Sequence, residues 1–141
     1  MIRLGVIGYG VRADMLMDEL LTLPGEACLC AVADQNPERV KALMTKKGSK
    51  EFLHAMEIDK IDGMLRKCPI DPESIRFYRT AEEMLDAEEL DGVLVGTNCN
   101  THTHFAQLVL ERGIPLFLEK PVAVSRKEVA LLERLADEAK A

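Results

Sequence analysis

The chain has 141 residues, of which 48% are hydrophobic and 30% charged, so one globular domain with a sizeable core is predicted. Its formal net charge of −6 argues against nucleic-acid binding, because no basic tract is available to neutralise phosphates. Apolar runs fall short of the ~18 residues of a membrane span, so no membrane association is expected. Four irregularly spaced cysteines suggest reduced thiols, and the first residues do not resemble a signal peptide, which together predict a cytoplasmic protein.

The first stretch of the chain predicts a strand, a phosphate-binding turn and a helix. Residues 2–7 form an apolar run, residues 8–13 read G-x-G-x-x-A, and apolar side chains then recur at helical spacing. Gly8 permits the tight turn, Gly10 lets the backbone approach a pyrophosphate, and Ala13 allows the helix to pack on the strand. The N–H groups at the start of the helix then face the negative charge of the ligand.

A carboxylate follows the second predicted strand, at residues 27–33. Asp34 lies about 20 residues beyond the glycine turn, where a carboxylate accepts hydrogen bonds from the hydroxyls of an adenosine ribose and repels a 2′-phosphate. NAD(H) is therefore predicted over NADP(H), since Gln35 supplies no compensating charge, although Arg12 or Arg39 could weaken this preference. The alternative is that Asp34 is only a surface turn residue.

The rest of the chain alternates between predicted helices and strands. A helix capped by Asn36 ends at Gly48, and residues 49–74 form an insert, interpreted as one amphipathic helix followed by a loop. Capping boxes open later helices at Thr80 and Ser125. Further strands are expected at residues 75–78, 92–96 and 116–118. This order predicts a Rossmann-type α/β fold, with helices on both faces of a mostly parallel sheet of strand order 3-2-1-4-5.

Four candidate site residues follow four different strands of this predicted sheet. They are Gly8, Asp34, Thr97 and Lys120. In parallel sheets, ligands bind outside the carboxyl ends of the strands, at the point where the strand order reverses. These residues are therefore expected along one rim of the domain, between the first and fourth strands.

Several motifs also occur in a characteristic order. They are the glycine turn at 8–13, the stretch 33–39, Thr97 followed five residues later by His102, Glu111-Arg112-Gly113 and Glu119-Lys120-Pro121. Together they resemble the N-terminal domain of the Gfo/Idh/MocA oxidoreductases, the family of glucose–fructose oxidoreductase and inositol dehydrogenase. The resemblance covers residues 1–141 except the insert. It departs at Asn98, where the family commonly has Pro, and the family's C-terminal substrate domain has no counterpart in this sequence.

The resemblance implies hydride transfer between the nicotinamide of NAD, or of NADP, and a carbinol carbon of a sugar or cyclitol. Lys120 would be the catalytic residue, because its ammonium group would stabilise alkoxide charge on the substrate oxygen. Cofactor contacts would come from Gly8, Tyr9, Gly10, Val11, Arg12, Asp34, Gln35, Thr97, Asn98, His102, Glu119 and Lys120. Homo-oligomers would form mainly through the C-terminal domain, and the 141-residue chain by itself is expected to bind nucleotide with little or no turnover.

Other interpretations remain open at this point. A non-catalytic protein that senses nucleotide or docks a partner could use the same fold, and an S-adenosylmethionine methyltransferase also pairs a glycine turn with an acidic residue. Zinc could bind Cys99, His102 and His104, but the two histidines diverge and no fourth ligand is evident, so no metal site is predicted. Cys28 and Cys30 could form a C-x-C metal clip, although buried small side chains are the simpler interpretation.

Overall fold

The computed structural model describes residues 1–20, 25–47 and 70–139. Within these ranges, five parallel strands form one sheet in the order β3-β2-β1-β4-β5, which confirms the predicted Rossmann-type α/β topology. The strands are β1 (Ile2–Ile7), β2 (Ala27–Ala33), β3 (Arg76–Tyr78), β4 (Gly92–Val95) and β5 (Leu116–Leu118). The helices are α1 (Val11–Leu20), α2 (Pro37–Lys47), α3 (Ala81–Ala87), α4 (His102–Leu110) and α5 (Arg126–Ala139), and 3₁₀ turns cover Pro72–Ser74 and Cys99–Thr101.

Two hydrophobic clusters cover the two faces of the sheet. The first packs α1 and α2 on one face, through residues such as Met17 and Val40. The second packs α3 and α4 on the other face, through residues such as Met84 and Val109. Strand β4 is buried along its whole length, as a strand covered on both faces must be. The two layers of helices therefore leave the carboxyl ends of the strands as the exposed rim.

Side-chain caps begin the helices where the sequence predicts them. The Asn36 side chain accepts a hydrogen bond from the Arg39 N–H at 3.1 Å, and Thr80 accepts one from the Glu83 N–H at 3.3 Å. Ser125 accepts from the Glu128 N–H at 3.3 Å, and its hydroxyl donates to the Glu128 carboxylate at 3.0 Å. Each cap satisfies a backbone N–H group in the first turn of its helix.

The predicted insert lies mostly outside the described residues. Its amphipathic helix and the end of the preceding helix at Gly48 fall in the range 48–69. The described part begins at residue 70, where Asp71 caps the 3₁₀ turn by accepting a hydrogen bond from the Glu73 N–H at 3.0 Å. In the part of the chain that is described, no helix is long and apolar enough to cross a membrane.

Candidate functional site

The rim at the carboxyl ends of the strands contains a cleft of about 530 Å³. Small-molecule sites commonly fall in the range of about 300–1,000 Å³. The glycine turn lines one side of the cleft, the end of β2 lines another, and the turn after β4 lines a third. The cleft therefore lies at the predicted reversal of strand order, between β1 and β4.

Six of the twelve predicted contact residues line this cleft. They are Gly8, Gly10, Asp34, Gln35, Thr97 and Asn98. The other six, which lie outside its lining, are Tyr9, Val11, Arg12, His102, Glu119 and Lys120. We call residues 8–13 and 34–39 the first half of the rim, and residues 97–102 and 119–121 the second half. The cleft thus joins the first half to the turn that begins the second.

Gly8 and Gly10 have different surroundings in the glycine turn. Gly8 adopts φ = 79°, and a Cβ atom there would lie 2.5 Å from Thr97 Cγ2, so only glycine fits without displacing the turn after β4. Around Gly10, a Cβ would meet no atom of the described residues within 4 Å. Gly8 is therefore required by the packing of the protein itself, whereas Gly10 faces open space in the cleft.

The start of α1 leaves N–H groups beside this open space. The N–H of Asp14 donates to the Gly10 carbonyl at 3.0 Å, so the amides of Val11, Arg12 and Ala13 precede the first hydrogen bond of the helix. The Ala13 Cβ packs close to Gly96, which brings the helix onto the sheet as predicted. These amides and the helix dipole favour an anionic ligand group at this end.

Asp34 connects β2 to the glycine turn. Its carboxylate accepts hydrogen bonds from the Tyr9 N–H at 3.0 Å and from the Asn36 N–H at 2.9 Å. The Gly8 N–H in turn donates to the Ala33 carbonyl at 2.8 Å. The amides of Gly8 and Tyr9 therefore have acceptors within the protein and are not free to bind a ligand.

Arg39, from α2, contacts both the glycine turn and Asp34. Its guanidinium donates to the Tyr9 carbonyl at 2.9 Å and forms an ion pair with Asp34 at 3.3 Å. Arg39 and Arg79 both line the cleft, and Arg79 is paired with Glu38 at 2.6 Å. The sequence indicates a charge at Arg39, but its contact with the glycine turn depends on how α2 packs.

The Tyr9 side chain lies beneath the turn and does not reach the cleft. It is 0% exposed, and its hydroxyl donates to the Asp14 carboxylate at 3.2 Å. Burial, followed by the charge of Asp14, raises the pKa of Tyr9 well above its ordinary value. Tyr9 therefore supports the turn from below as a neutral phenol.

His102 joins the two strand ends of the second half of the rim. It is 1% exposed, with Nδ1 2.7 Å from the Pro121 carbonyl and Nε2 2.9 Å from the Thr97 carbonyl. Both partners are acceptors, so in a neutral ring only one of these contacts is a donated hydrogen bond. His102 thus holds the turn after β4 to the segment that carries Lys120, rather than facing the cleft.

Glu119 and Lys120 end β5 with different exposures. The Glu119 carboxylate is mostly buried and pairs with the Arg12 guanidinium at 3.3 Å, which links the start of α1 to the end of β5. Lys120 is exposed. Lys120 therefore lies at the end of β5, exposed, and is not among the residues that line the cleft.

Further lining residues come from α3, from α4 and from the segments before them. Thr101, His104 and Phe105 contribute from the start of α4, and Thr80 and Glu82 contribute from the start of α3. Sequence reasoning missed them, because amphipathic spacing marks a helix face without indicating which turn reaches the rim. Among the described residues, no group of three or more His, Cys, Asp or Glu side chains could hold a metal ion.

Comparison with known proteins gives a consistent assignment. Residues 2–141 match the model of an oxidoreductase family described as having an NAD-binding Rossmann fold, GFO_IDH_MocA. The chain is 43% identical over 54 residues to the rhizopine catabolism protein MocA of Rhizobium meliloti, covering 38% of this chain and 17% of that protein. It is 29% identical over 140 residues to glycosyl hydrolase family 109 protein 2 of Phocaeicola vulgatus, covering 98% and 28%.

A solved structure shows the same fold. The chain superimposes with a TM-score of 0.74 on the WlbA dehydrogenase of Chromobacterium violaceum, which was crystallised with NADH and UDP-GlcNAcA. The sequences are 22% identical, and the match covers 99% of this chain and 33% of that one. The chain therefore spans about a third or less of the length of the proteins it resembles.

Proposed function

The chain belongs to the Gfo/Idh/MocA oxidoreductase family as its NAD-binding Rossmann domain, and from this premise we propose that it binds NAD(H) for hydride transfer to or from a sugar or cyclitol carbinol. The proposal rests on one observation, the hydrogen bond that connects the Asp34 carboxylate to the backbone of the glycine turn. One carboxylate oxygen accepts the Tyr9 N–H, while Gly8, Gly10 and Asp34 line the same cleft. A diphosphate at α1 and a ribose at Asp34 then occupy adjacent positions.

Asp34 supports a preference for NAD(H) over NADP(H). Its negative charge lies where a 2′-phosphate would bind, and the hydroxyls of an unphosphorylated ribose are suitable donors to it. Arg39 partly offsets this charge at 3.3 Å, but its guanidinium is also held by the Tyr9 carbonyl. We therefore propose NAD(H) as the cofactor and NADP(H) as a weaker ligand of the same cleft.

Lys120 is the residue proposed for chemistry. The nicotinamide supplies the hydride donor or acceptor, and the Lys120 ammonium would hydrogen-bond the substrate oxygen and stabilise its negative charge as the C–O group is oxidised or reduced. Its exposed position at the end of β5 leaves it accessible to a substrate, while His102 holds the adjoining Pro121. A small sugar or polyol is the proposed substrate, and a homo-oligomer is proposed for the longer protein.

A second candidate function is glycoside hydrolysis. The relative named as a glycosyl hydrolase family 109 protein is similar along 98% of this chain, so the likeness includes both halves of the rim. The two reactions differ in their net redox change. A dehydrogenase converts NAD⁺ to NADH in proportion to product, whereas a hydrolase produces free sugar with no net change in nucleotide.

Titration calorimetry of the 141-residue chain with NAD⁺, NADH, NADP⁺ and NADPH tests the binding proposal. NAD(H) is expected to bind at least about tenfold more tightly than NADP(H), a difference of about 1.4 kcal/mol. A preference for NADP(H), or no binding of any of the four, would contradict it.

The reaction is tested on a longer protein that includes this chain. Net NADH formation from NAD⁺ and a polyol supports the dehydrogenase. Sugar release without net NADH formation would support the hydrolase instead. Nucleotide binding without either reaction would support a non-catalytic protein that senses nucleotide.

A further inference from the structure

Two thiols meet on β2, at the end of the sheet opposite the rim. The Sγ atoms of Cys28 and Cys30 lie 3.3 Å apart, and both side chains are partly exposed. At about 3.3 Å per residue, their positions four and six residues before Asp34 place them roughly 13–20 Å from the rim. This pair is therefore separate from the nucleotide cleft and does not depend on the proposed function.

A bulge in β2 brings the two thiols together. The register pairs Leu4 with Leu29 and Gly5 with Ala31, so Cys30 has no partner in β1. In a regular strand, residues two apart are separated by about 6.6 Å along the strand, so small side chains at these positions do not usually touch. The extra residue bends the strand and redirects its side chains, and here the two sulfur atoms come into contact.

The sulfur separation defines which centre the pair could chelate. With bonds of about 2.3 Å from each sulfur to a bound centre, a separation of 3.3 Å corresponds to an angle of about 90° at that centre. This angle is too small for tetrahedral zinc but suits a pyramidal trivalent centre with a lone pair. Among the described residues, no third His, Cys, Asp or Glu completes a metal site with these thiols. A centre that carries one substituent of its own needs only two thiols.

We propose that Cys28 and Cys30 form a dithiol site for monosubstituted trivalent arsenicals. Each thiol replaces its S–H bond with a bond to arsenic, and the two released protons leave with the arsenical oxygen as one molecule of water. Arsenic stays trivalent, so the step needs no oxidant or reductant. The soft thiol sulfurs match the soft trivalent centre.

The electrostatic surroundings distinguish this chemistry from simple alkylation. Burial, followed by the hydrogen bond with Cys28, raises the pKa of the Cys30 thiol, and the nearby Glu88 raises it further while Arg3 lowers it. A protonated thiol is a poor nucleophile toward a reagent that forms a single bond. Condensation with an arsenical consumes protonated thiols, and the second bond is formed within the same molecule.

The test uses phenylarsine oxide on the reduced full chain, followed by intact mass measurement. The chain has four cysteines, so a Cys68→Ser/Cys99→Ser double variant keeps only the proposed pair. This double variant is the reference with which the single substitutions are compared. This variant is expected to retain one phenylarsenic group, with loss of one water, and to release it to a vicinal dithiol but not to an equal concentration of a monothiol. Cys28→Ser and Cys30→Ser, each made in that background, are expected to bind roughly 100-fold or more weakly, because chelation is lost.

Each alternative outcome is decisive. Unchanged affinity in either single-cysteine variant, or release of the group by a monothiol at the same concentration, would overturn the proposal. Far-ultraviolet circular dichroism of each serine variant tests whether the fold is retained. Retention is expected because Ser is close to Cys in size. Retention of NADH affinity by the arsenical-loaded chain supports a site separate from the cleft, whereas competition with NADH would contradict that location.

Discussion

The two halves of the rim are positioned by different kinds of contact. In the first half, the Asp34 carboxylate accepts hydrogen bonds from two backbone N–H groups and forms an ion pair with Arg39. Charged hydrogen bonds therefore hold the glycine turn directly. In the second half, the ring nitrogens of His102 contact the backbone carbonyls of Thr97 and Pro121, and Lys120 is exposed. The first half is therefore held in place by charged hydrogen bonds around the glycine turn, whereas the second half is held by a buried ring between two backbone segments.

The largest expected effect comes from Gly8→Ala in the first half. The positive φ at this residue costs about 1–3 kcal/mol for a residue with a Cβ, and the new atom would lie 2.5 Å from Thr97 Cγ2. We expect a lower free energy of unfolding, measured by urea denaturation, together with loss of NADH binding in calorimetry.

Gly10→Ala is the matched control for that substitution. In the part of the chain that the structure describes, a Cβ at Gly10 meets no atom within 4 Å, so the free energy of unfolding should stay within about 0.5 kcal/mol of wild type. The same Cβ would occupy the space through which a pyrophosphate approaches, so NADH affinity should fall. Unchanged NADH affinity in Gly10→Ala would place the diphosphate elsewhere.

Asp34→Ser tests whether the first half selects the cofactor. Hydrogen bonds to a charged group are worth about 1.5–3 kcal/mol, so NADH affinity should fall roughly 10- to 100-fold. NADPH should lose less or gain, because the repulsion from the carboxylate is removed while Arg39 remains. Measured affinities for both nucleotides give the ratio, and an unchanged ratio would show that Asp34 does not select between them. Gln35→Ser is the comparison, because it changes another predicted contact in the same cleft without changing the charge.

The sequence predicts the first half of the rim better than the second. Gly8, Gly10 and Asp34 are close to strand ends that periodicity locates, and all three line the cleft. The role of His102 was not predictable, because its partners are backbone carbonyls at Thr97 and Pro121 that carry no sequence signal.

The bulge in β2 also could not be predicted from the pattern of apolar and polar residues. Alternation places Cys28 and Cys30 on one face, but the register shift at Cys30 depends on pairing with β1. The order of the strands, by contrast, followed from the alternation of strands and helices and the handedness of their connections.

His102→Leu tests the second half of the rim. Leu fills the buried space but lacks the two ring nitrogens that contact the Thr97 and Pro121 carbonyls, so the segment carrying Lys120 should lose its fixed position. We expect affinity for NADH to fall several-fold while affinity for ADP, which in the proposed binding mode contacts only the first half, stays within twofold. Equal losses for the two ligands would indicate general destabilisation and contradict a positioning role.

Two further variants separate positioning from packing at His102. The amide of Gln carries two N–H bonds, so His102→Gln should recover part of the NADH affinity that His102→Leu loses. Thr103→Val is the neighbouring control, since the buried Thr103 hydroxyl has no hydrogen-bond partner among the described residues and its removal should leave both affinities unchanged.

The smallest expected effect is an alkaline loss of stability that originates in the first half. The pKa of Tyr9 is raised in the folded chain by burial and by Asp14, so the unfolded chain releases the phenol proton first, near pH 10. This contribution to stability is complete below pH 10 and decreases above it, by at most about 1.4 kcal/mol per pH unit. Tyr9→Phe should therefore show a shallower decrease between pH 10 and 11 in urea denaturation.

Tyr78→Phe is the comparison, because the hydrogen bond with Glu88, followed by burial, raises the pKa of the less buried Tyr78 as well. An equally steep decrease in wild type and Tyr9→Phe would mean that the phenol beneath the glycine turn does not limit the alkaline stability of the fold.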